Sequence, residues 1–79
     1  MPYSSHDLPE EFPQDADRLQ ALKDSDPHFA RLAEEYNEVN GEILRIETEE
    51  EAASDERLVD LRKRRLHIKD EIAAVLAKK

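Results

Sequence analysis

Large apolar residues recur at alternating steps of three and four along two stretches of the chain, and this spacing constrains the fold more than any other feature. The first series consists of Phe29, Leu32, Tyr36, Val39, Ile43 and Ile46. The second series consists of Leu58, Leu61, Arg65, Ile68, Ile72 and Val75. Such steps place side chains on one side of an α-helix, as in the a and d positions of a coiled coil. Each stretch is therefore predicted to be a long amphipathic helix.

The two series are out of phase with each other, which predicts two helices rather than one. A single continuous helix would place Glu50 and Arg57 in its core. In an antiparallel pair, facing residues have position numbers with a constant sum. Five pairs share the sum 104, namely Phe29–Val75, Leu32–Ile72, Tyr36–Ile68, Ile43–Leu61 and Ile46–Leu58. The predicted fold is all-α, an antiparallel, coiled-coil-like two-helix hairpin with a turn near residue 52.

The same register predicts ion pairs along the edges of the hairpin. Glu49 is expected to face Arg57, and Glu42 is expected to face Arg64. Exposed pairs of this kind contribute only about 0.2–1 kcal/mol each. Their expected effect is therefore on register and orientation more than on stability.

Proline and capping residues divide the chain. Pro2, Pro9 and Pro13 interrupt the first residues, while Leu19 and Leu22 can share one side of a short helix. The predicted parts are a flexible tail (1–13), a short helix (14–24) and the hairpin (26–78, with helices at about 27–50 and 55–78).

Local signals also mark where the long helices begin. Asp26 is a good N-cap, followed by Pro27 at the first helical position, and Ser54 is the predicted N-cap of the last helix. Gly41 lies within the first long helix, on the side away from the apolar series. Because that series continues in phase past Gly41, the helix is predicted to be continuous, at a cost of about 1 kcal/mol relative to alanine.

Composition excludes several classes of protein. The chain has 79 residues, enough for one small domain, and it contains no cysteine, so disulfides and thiolate metal sites are excluded. Its formal net charge of −8 argues against general affinity for nucleic acids or anionic membranes. No apolar run is long enough to cross a bilayer, and the first residues do not resemble a secretory signal. A cytoplasmic location is expected.

A second, weaker apolar stripe lies beside the main series. It consists of Leu44, Val59, Leu66, Ala73 and Leu76. An isolated hairpin would leave this stripe in water, and such surfaces usually contact something. The short helix can cover it, or a second copy of the chain can, in a homodimeric four-helix bundle. The sequence leaves both alternatives open.

The segment "LRKRRLHIKD", residues 61–70, is the most basic part of this acidic chain. Adjacent helical residues are separated by about 100°, so its four consecutive cations do not form one stripe. Arg62 and Lys69 share one edge with Arg65 between them, and Leu66 lies beside them. These four residues are the candidate interaction site, although acidic residues of the other helix can also balance the cations.

Arg65 is unusual because it occupies a core position of the apolar series, opposite Val39. A charged residue at such a position can fix the register or the number of helices. Alternatively, its aliphatic stem can lie along the seam while the charged end reaches water.

Nothing in the sequence predicts catalysis or a cofactor. His67 and Glu71 have a spacing that can hold a metal ion, but no third ligand is expected nearby. Phe29 and Tyr36 are expected in the core rather than in a ligand site. Asn40 and its neighbour Asn37 fit either surface or interface positions. We therefore expect no enzyme activity, no cofactor and no metal site.

Residues 26–47 read "DPHFARLAEEYNEVNGEILRIE" and residues 61–76 read "LRKRRLHIKDEIAAVL". The positions that carry a resemblance are Pro27, Phe29, Leu32, Asn37, Glu42, Ile43, Glu47, Leu66, Ile68, Lys69, Asp70, Glu71 and Ile72. At these positions the chain resembles the YdcH-like family of small bacterial proteins, a domain family of unknown function. The resemblance covers roughly residues 17–78. It implies a cytoplasmic helical hairpin from a bacterium, and it implies no activity.

The expected function is that of a small non-enzymatic protein that docks an unidentified protein partner, or a second copy, through a helical surface. The alternative is an accessory nucleic-acid-binding protein that uses the basic cluster. No aromatic residues alternate with the cations to stack on bases, which makes nucleic-acid binding the weaker expectation. No membrane contact is expected.

Overall fold

The computed structural model of the chain describes residues 6–49 and 52–78. All of the regular secondary structure in these residues is helical. The elements are α1 (Leu8–Glu11), a 3₁₀ turn (Pro13–Asp15), α2 (Ala16–Ser25), α3 (Pro27–Glu47) and α4 (Asp55–Ala77). The two long helices pack against each other as an antiparallel hairpin, and α2 packs on α3. The predicted all-α hairpin with a short preceding helix is confirmed.

Helix α3 begins where the sequence predicts because its N-cap is satisfied. The carboxylate of Asp26 accepts hydrogen bonds from the backbone N–H groups of His28 (3.0 Å) and Phe29 (3.3 Å), and Pro27 occupies the first helical position. Helix α4 begins in the same way, since the Ser54 hydroxyl accepts from the backbone N–H of Arg57 at 3.1 Å. Both caps satisfy amides that have no partner within the helix.

Helix α3 ends at Glu47, earlier than the expected boundary near residue 50. The Thr48 hydroxyl donates to the carbonyl oxygen of Leu44 at 2.8 Å, and Glu49 adopts a left-handed conformation with φ 67°. A left-handed residue just after the last turn ends a helix even where, as here, it is not glycine. The predicted turn near residue 52 adjoins residues 50 and 51, which lie outside the described part of the chain.

The core follows the two apolar series. Its buried members from the hairpin are Phe29, Leu32, Ala33, Tyr36, Val39, Ile43, Leu61, Ile68, Ile72 and Leu76, and its partly buried members there are Ile46, Leu58 and Val75. Helix α3 is continuous through Gly41, as predicted. The hydrophobic seam of the hairpin is therefore the one that the spacing indicates.

The predicted edge pairs need correction. Glu42 pairs with Arg57 rather than with Arg64, and Arg62 pairs with Glu47 at 2.8 Å. Glu49 lies beyond the end of α3 and so does not continue its edge. The constant-sum rule places backbones, whereas arginine side chains extend along the helix and reach carboxylates in neighbouring turns.

Residues 6–13 of the predicted tail include a short helix and contact the hairpin. Leu8 is buried at 4% exposure, and Phe12 packs against the same core. Leu8 is the first residue of α1, and Phe12 is the C-cap residue just past its end. Pro9 is tolerated because it lies in the first turn of that helix. The remaining tail residues, 1–5, lie outside the described part.

The short helix covers part of the second apolar stripe. Leu19 is buried, and Arg18 donates from Nη2 to the carbonyl oxygen of Leu76 at 2.9 Å, which holds α2 beside the end of α4. Val59 and Leu66 nevertheless remain exposed. The stripe therefore divides into a covered end and an open part.

Candidate interaction surface on the last helix

The four candidate residues of α4 lie together around one shallow cavity of about 170 Å³. Its lining consists of His6, Glu11, Tyr36, Arg62, Arg65, Leu66 and Lys69. The cavity lies where the segment before α2 crosses the hairpin. We call residues 6–12 the strap. The sequence places the four α4 residues together, and the tertiary structure adds the strap and Tyr36.

The three cations of this group have partners within the chain. Arg62 contacts Glu47 near the end of α3. Lys69 pairs with Glu11 of the strap. Arg65 is half-buried and donates from Nη1 to Oδ1 of its partner Asn40 at 2.8 Å. Its charged end is thus held by a side-chain amide of α3.

Asn40 is buried at 2% exposure, whereas Asn37 is exposed. The Asn40 side chain uses both ends of its amide. Its oxygen accepts from Arg65, and its Nδ2 donates to the carboxylate of Asp7 in the strap at 3.4 Å. A buried amide is costly unless it is hydrogen-bonded, so this residue connects α3, α4 and the strap into one network. The sequence left the two asparagines undistinguished.

Tyr36 is also a buried polar residue that contacts the strap. Its Oη donates to the carbonyl oxygen of His6 at 2.6 Å. Burial raises the pKa of Tyr36 to about 12, and the nearby charge of Glu11 adds to the increase, which Arg65 partly opposes. The phenol is therefore neutral at physiological pH and acts as a hydrogen-bond donor.

Glu11 is the charged centre of the strap. Its carboxylate pairs with Lys69 and contacts Nδ1 of His6 at 3.1 Å. The hydrogen bond to Lys69 lowers the pKa of Glu11 below its ordinary value, with a smaller contribution from His6, although partial burial opposes the change. Glu11 is thus ionised and held in place at neutral pH.

The remaining basic residues lie on another side of α4. Lys63 and Arg64 are exposed and border an open groove between the long helices, together with Glu35, His67, Ile68 and Glu71. His67 Nε2 lies 3.0 Å from the Glu71 carboxylate, and both side chains are exposed. Within residues 6–49 and 52–78, no group of three or more His, Cys, Asp or Glu residues has the arrangement of a metal site.

The apolar part of the surface consists of Val59 and Leu66, which are 45% and 58% exposed. They are seven residues apart, or about two helical turns, and therefore lie on one side of α4. Leu66 borders the cavity beneath the strap. The surface thus combines exposed apolar side chains with cations that are already paired.

Comparison with known proteins assigns the family. The profile of a family described as "Protein of unknown function (DUF465)" matches residues 29–76, which include most of both long helices. The chain belongs to the DUF465 family. The "Uncharacterized protein YdcH" of Escherichia coli (strain K12) is 31% identical over 65 residues, which cover 82% of this chain and 88% of the relative. The protein of the same description from Shigella flexneri matches to the same extent.

The family assignment confirms the resemblance seen in the sequence, and it comes with no assigned activity. No solved structure matches the chain. Among the described helices, none has a stretch both long and apolar enough for a membrane span.

Proposed function

We propose that this DUF465 protein is a small non-enzymatic interaction module that docks a protein partner on the outward side of α4. The observation that carries the proposal is the exposure of Leu66 and Val59 on one side of that helix. The other large apolar residues in the described part are buried or partly buried. Exposed leucine and valine at helical spacing are typical of a surface that another helix covers.

The charges around this surface favour a protein partner over a nucleic acid. Arg62 and Lys69 each have a carboxylate partner, and Arg65 is engaged by a buried amide. A polyanion that used these cations would have to displace Glu47 or Glu11. Docking of a protein on the exposed apolar residues does not depend on displacing either carboxylate, because it does not require these cations to be free.

The surface of α4 that would bind the partner is small, which fits a transient complex. Stable interfaces bury roughly 800 Å² on each partner, far more than two side chains supply. We also propose a bacterial cytoplasmic location. It is supported by the bacterial relatives and by a sequence without cysteine, which has no need of an oxidising compartment.

The test is site-specific photo-crosslinking in the native host. A photoreactive amino acid replaces Leu66 in one sample and the exposed Asp17 of α2 in the control sample. The expected result is one protein adduct at position 66 that is absent at position 17 and survives nuclease treatment. Sedimentation of the purified chain then shows whether that adduct is a second copy.

A pair of substitutions separates the two candidate functions. Leu66→Asp should abolish partner capture, because it places a charge at the centre of the interface. Lys63→Glu with Arg64→Glu should leave capture unchanged, since these exposed cations lie away from the apolar side. Capture that depends on Lys63 and Arg64, falls steeply with salt and disappears with nuclease would overturn the proposal in favour of nucleic-acid binding.

A further inference from the structure

The strap contacts the hairpin through hydrogen-bond donors that the hairpin supplies. Tyr36 donates to a strap carbonyl oxygen, Asn40 donates to the carboxylate of Asp7, and Lys69 pairs with Glu11. We call Tyr36, Asn40, Arg65 and Lys69 the donor cluster. In each of these contacts with the strap, the hairpin donates and the strap accepts.

The donor cluster is held in a defined geometry by the hairpin itself. Arg65 donates to Oδ1 of Asn40, and this orients the amide so that Nδ2 points toward the strap. Tyr36 and Asn40 are 1% and 2% exposed, so packing restricts both side chains. Such preorganised donors bind a matching acceptor with little loss of conformational freedom.

The strap shows which ligand chemistry fits this site. It carries two apolar residues, Leu8 and Phe12, that pack into the core, and carboxylates at Asp7 and Glu11 that meet the donor cluster. A segment of another protein needs the same features to replace it. They are two large apolar residues four positions apart and carboxylates that reach the amide and the ammonium group.

The strap is short, and its contacts with the hairpin are few. Its helix, α1, has four residues, too few to be stable without tertiary contacts. The ion pair of Glu11 and Lys69 is partly exposed and therefore modest. An intramolecular segment held in this way can exchange with a competing segment that offers the same groups.

We propose that the strap-binding site of the hairpin is also a docking site for an acidic segment with two apolar anchors from a partner protein, and that the strap is its autoinhibitory occupant. This inference rests on the proposed function, which it deepens by naming the chemistry of the partner. The site adjoins Leu66, which lines the cavity at the edge of the strap. A partner that displaces the strap would therefore gain the exposed apolar side of α4 as well.

The experiment measures binding of a fluorescein-labelled peptide with the sequence of residues 6–13, HDLPEEFP, to the full chain by fluorescence anisotropy. Leu8→Asp in the protein weakens the strap without changing the donor cluster. It should raise peptide affinity about tenfold or more, because the open fraction of the site increases. A peptide with glutamine in place of Glu11, the residue that pairs with Lys69, should bind at least several-fold more weakly.

A matched pair of lysines provides the control. In the Leu8→Asp protein, Lys69→Gln should weaken peptide binding several-fold, because it removes the partner of the peptide carboxylate. Lys63→Gln removes an exposed charge from the same helix and should leave the affinity unchanged. Equal effects of the two lysines would overturn the assignment of the donor cluster.

Circular dichroism of each variant accompanies the titrations. If the Leu8→Asp protein loses helicity, the Glu11→Gln protein is used as the strap variant instead. It should bind the peptide more tightly than the unmodified chain, by a smaller factor than expected for Leu8→Asp. An unchanged affinity in a folded strap variant overturns the proposal, and so does equal binding of the glutamine peptide. The proposal is also overturned if the unmodified chain is a dimer in solution and the strap variant is a monomer. That result would mean that the strap of a second copy occupies the site.

Failure of this inference is distinguishable from failure of the proposed function. Crosslinking at position 66 does not require the peptide to bind. An adduct there without peptide binding leaves the proposed docking on α4 intact and removes only the strap as its regulator.

Discussion

The hairpin seam and the strap contact are two interfaces of the same small chain, and they differ in what holds them together. The seam is apolar, with Phe29, Ile43 and Ile72 at 0% exposure. The strap contact combines two apolar anchors with a network of hydrogen bonds and an ion pair. Apolar burial accumulates with area and depends little on pH or salt, whereas polar contacts depend on geometry and charge.

Because of this difference, we expect the seam to supply most of the stability of the fold, and the strap contact to be the one that a partner can displace. The seam determines whether the hairpin exists. We expect the strap to release without loss of the seam, because few of the buried apolar residues belong to it. Substitutions in the seam should therefore lower the free energy of unfolding more than substitutions in the strap.

Ile72→Ala should produce the largest loss, about 2–5 kcal/mol of unfolding free energy, because it removes a fully buried side chain from the seam. Urea denaturation followed by circular dichroism measures this loss. Leu66→Ala is the control, and its effect should stay within about 0.5 kcal/mol, since Leu66 is exposed. A loss below about 1 kcal/mol for Ile72→Ala would contradict the assignment of the seam as the core.

Asn40→Ala should cost about 1–3 kcal/mol, because it deprives the half-buried Arg65 of its acceptor and Asp7 of a donor. The exposed Asn37 provides a matched control, and Asn37→Ala should change the unfolding free energy by less than about 0.5 kcal/mol. Equal effects of the two substitutions would show that the buried network contributes nothing.

Tyr36→Phe should cost about 0.5–1.5 kcal/mol, since it removes the donor to His6 while the ring stays packed. The raised pKa of Tyr36 adds a test by pH. Its contribution should be intact below the ordinary tyrosine value of 10.0 and lost as pH rises toward about 12, because the folded state favours the neutral phenol. Absorbance at alkaline pH in a Tyr3→Phe background reports the titration of Tyr36 alone, and a midpoint near 10 would contradict its burial.

Gly41→Ala should stabilise the hairpin by about 0.5–1 kcal/mol without affecting the strap. An added methyl group would meet only Nη1 of Arg45, at an ordinary contact distance of 3.5 Å, and alanine is the better helix former. Thermal unfolding should show a higher midpoint, while hydrogen exchange of the strap amides stays unchanged. Slower exchange in the strap would indicate that the two interfaces are coupled.

Glu11→Gln should have the smallest effect on global stability, about 0.2–1 kcal/mol, because its ion pair with Lys69 is partly exposed. The effect should be local, with faster hydrogen exchange in the strap than in α3. Since the pKa of Glu11 is lowered in the folded chain, the pair stabilises the protein above the ordinary glutamate pKa. Its contribution is lost as pH falls through the lowered value, and NMR of the strap amides against pH measures that loss.

The candidate surface was only partly predictable from the sequence. Arg62, Leu66 and Lys69 share a helical side, so periodicity alone places them together. The role of Asn40 was not predictable, because its hydrogen-bond partners Arg65 and Asp7 lie 25 and 33 positions away in the chain. The charge partners of Arg57 and Arg62 also differ from the expected ones, since the reach of long side chains is not fixed by backbone register.

The sequence by itself determined the two long helices, their N-caps and the seam of this protein. Those features depend on spacing within a helix and on side chains within a few residues of each other, such as Asp26 with the amides that follow it. The tertiary structure alone decided where the strap lies. Its contacts join residues about 30 to 60 positions apart, as between Tyr36 and His6 or Lys69 and Glu11. A proline-containing acidic segment has no local pattern that indicates such partners, because the donors that select it come together only when the hairpin has folded.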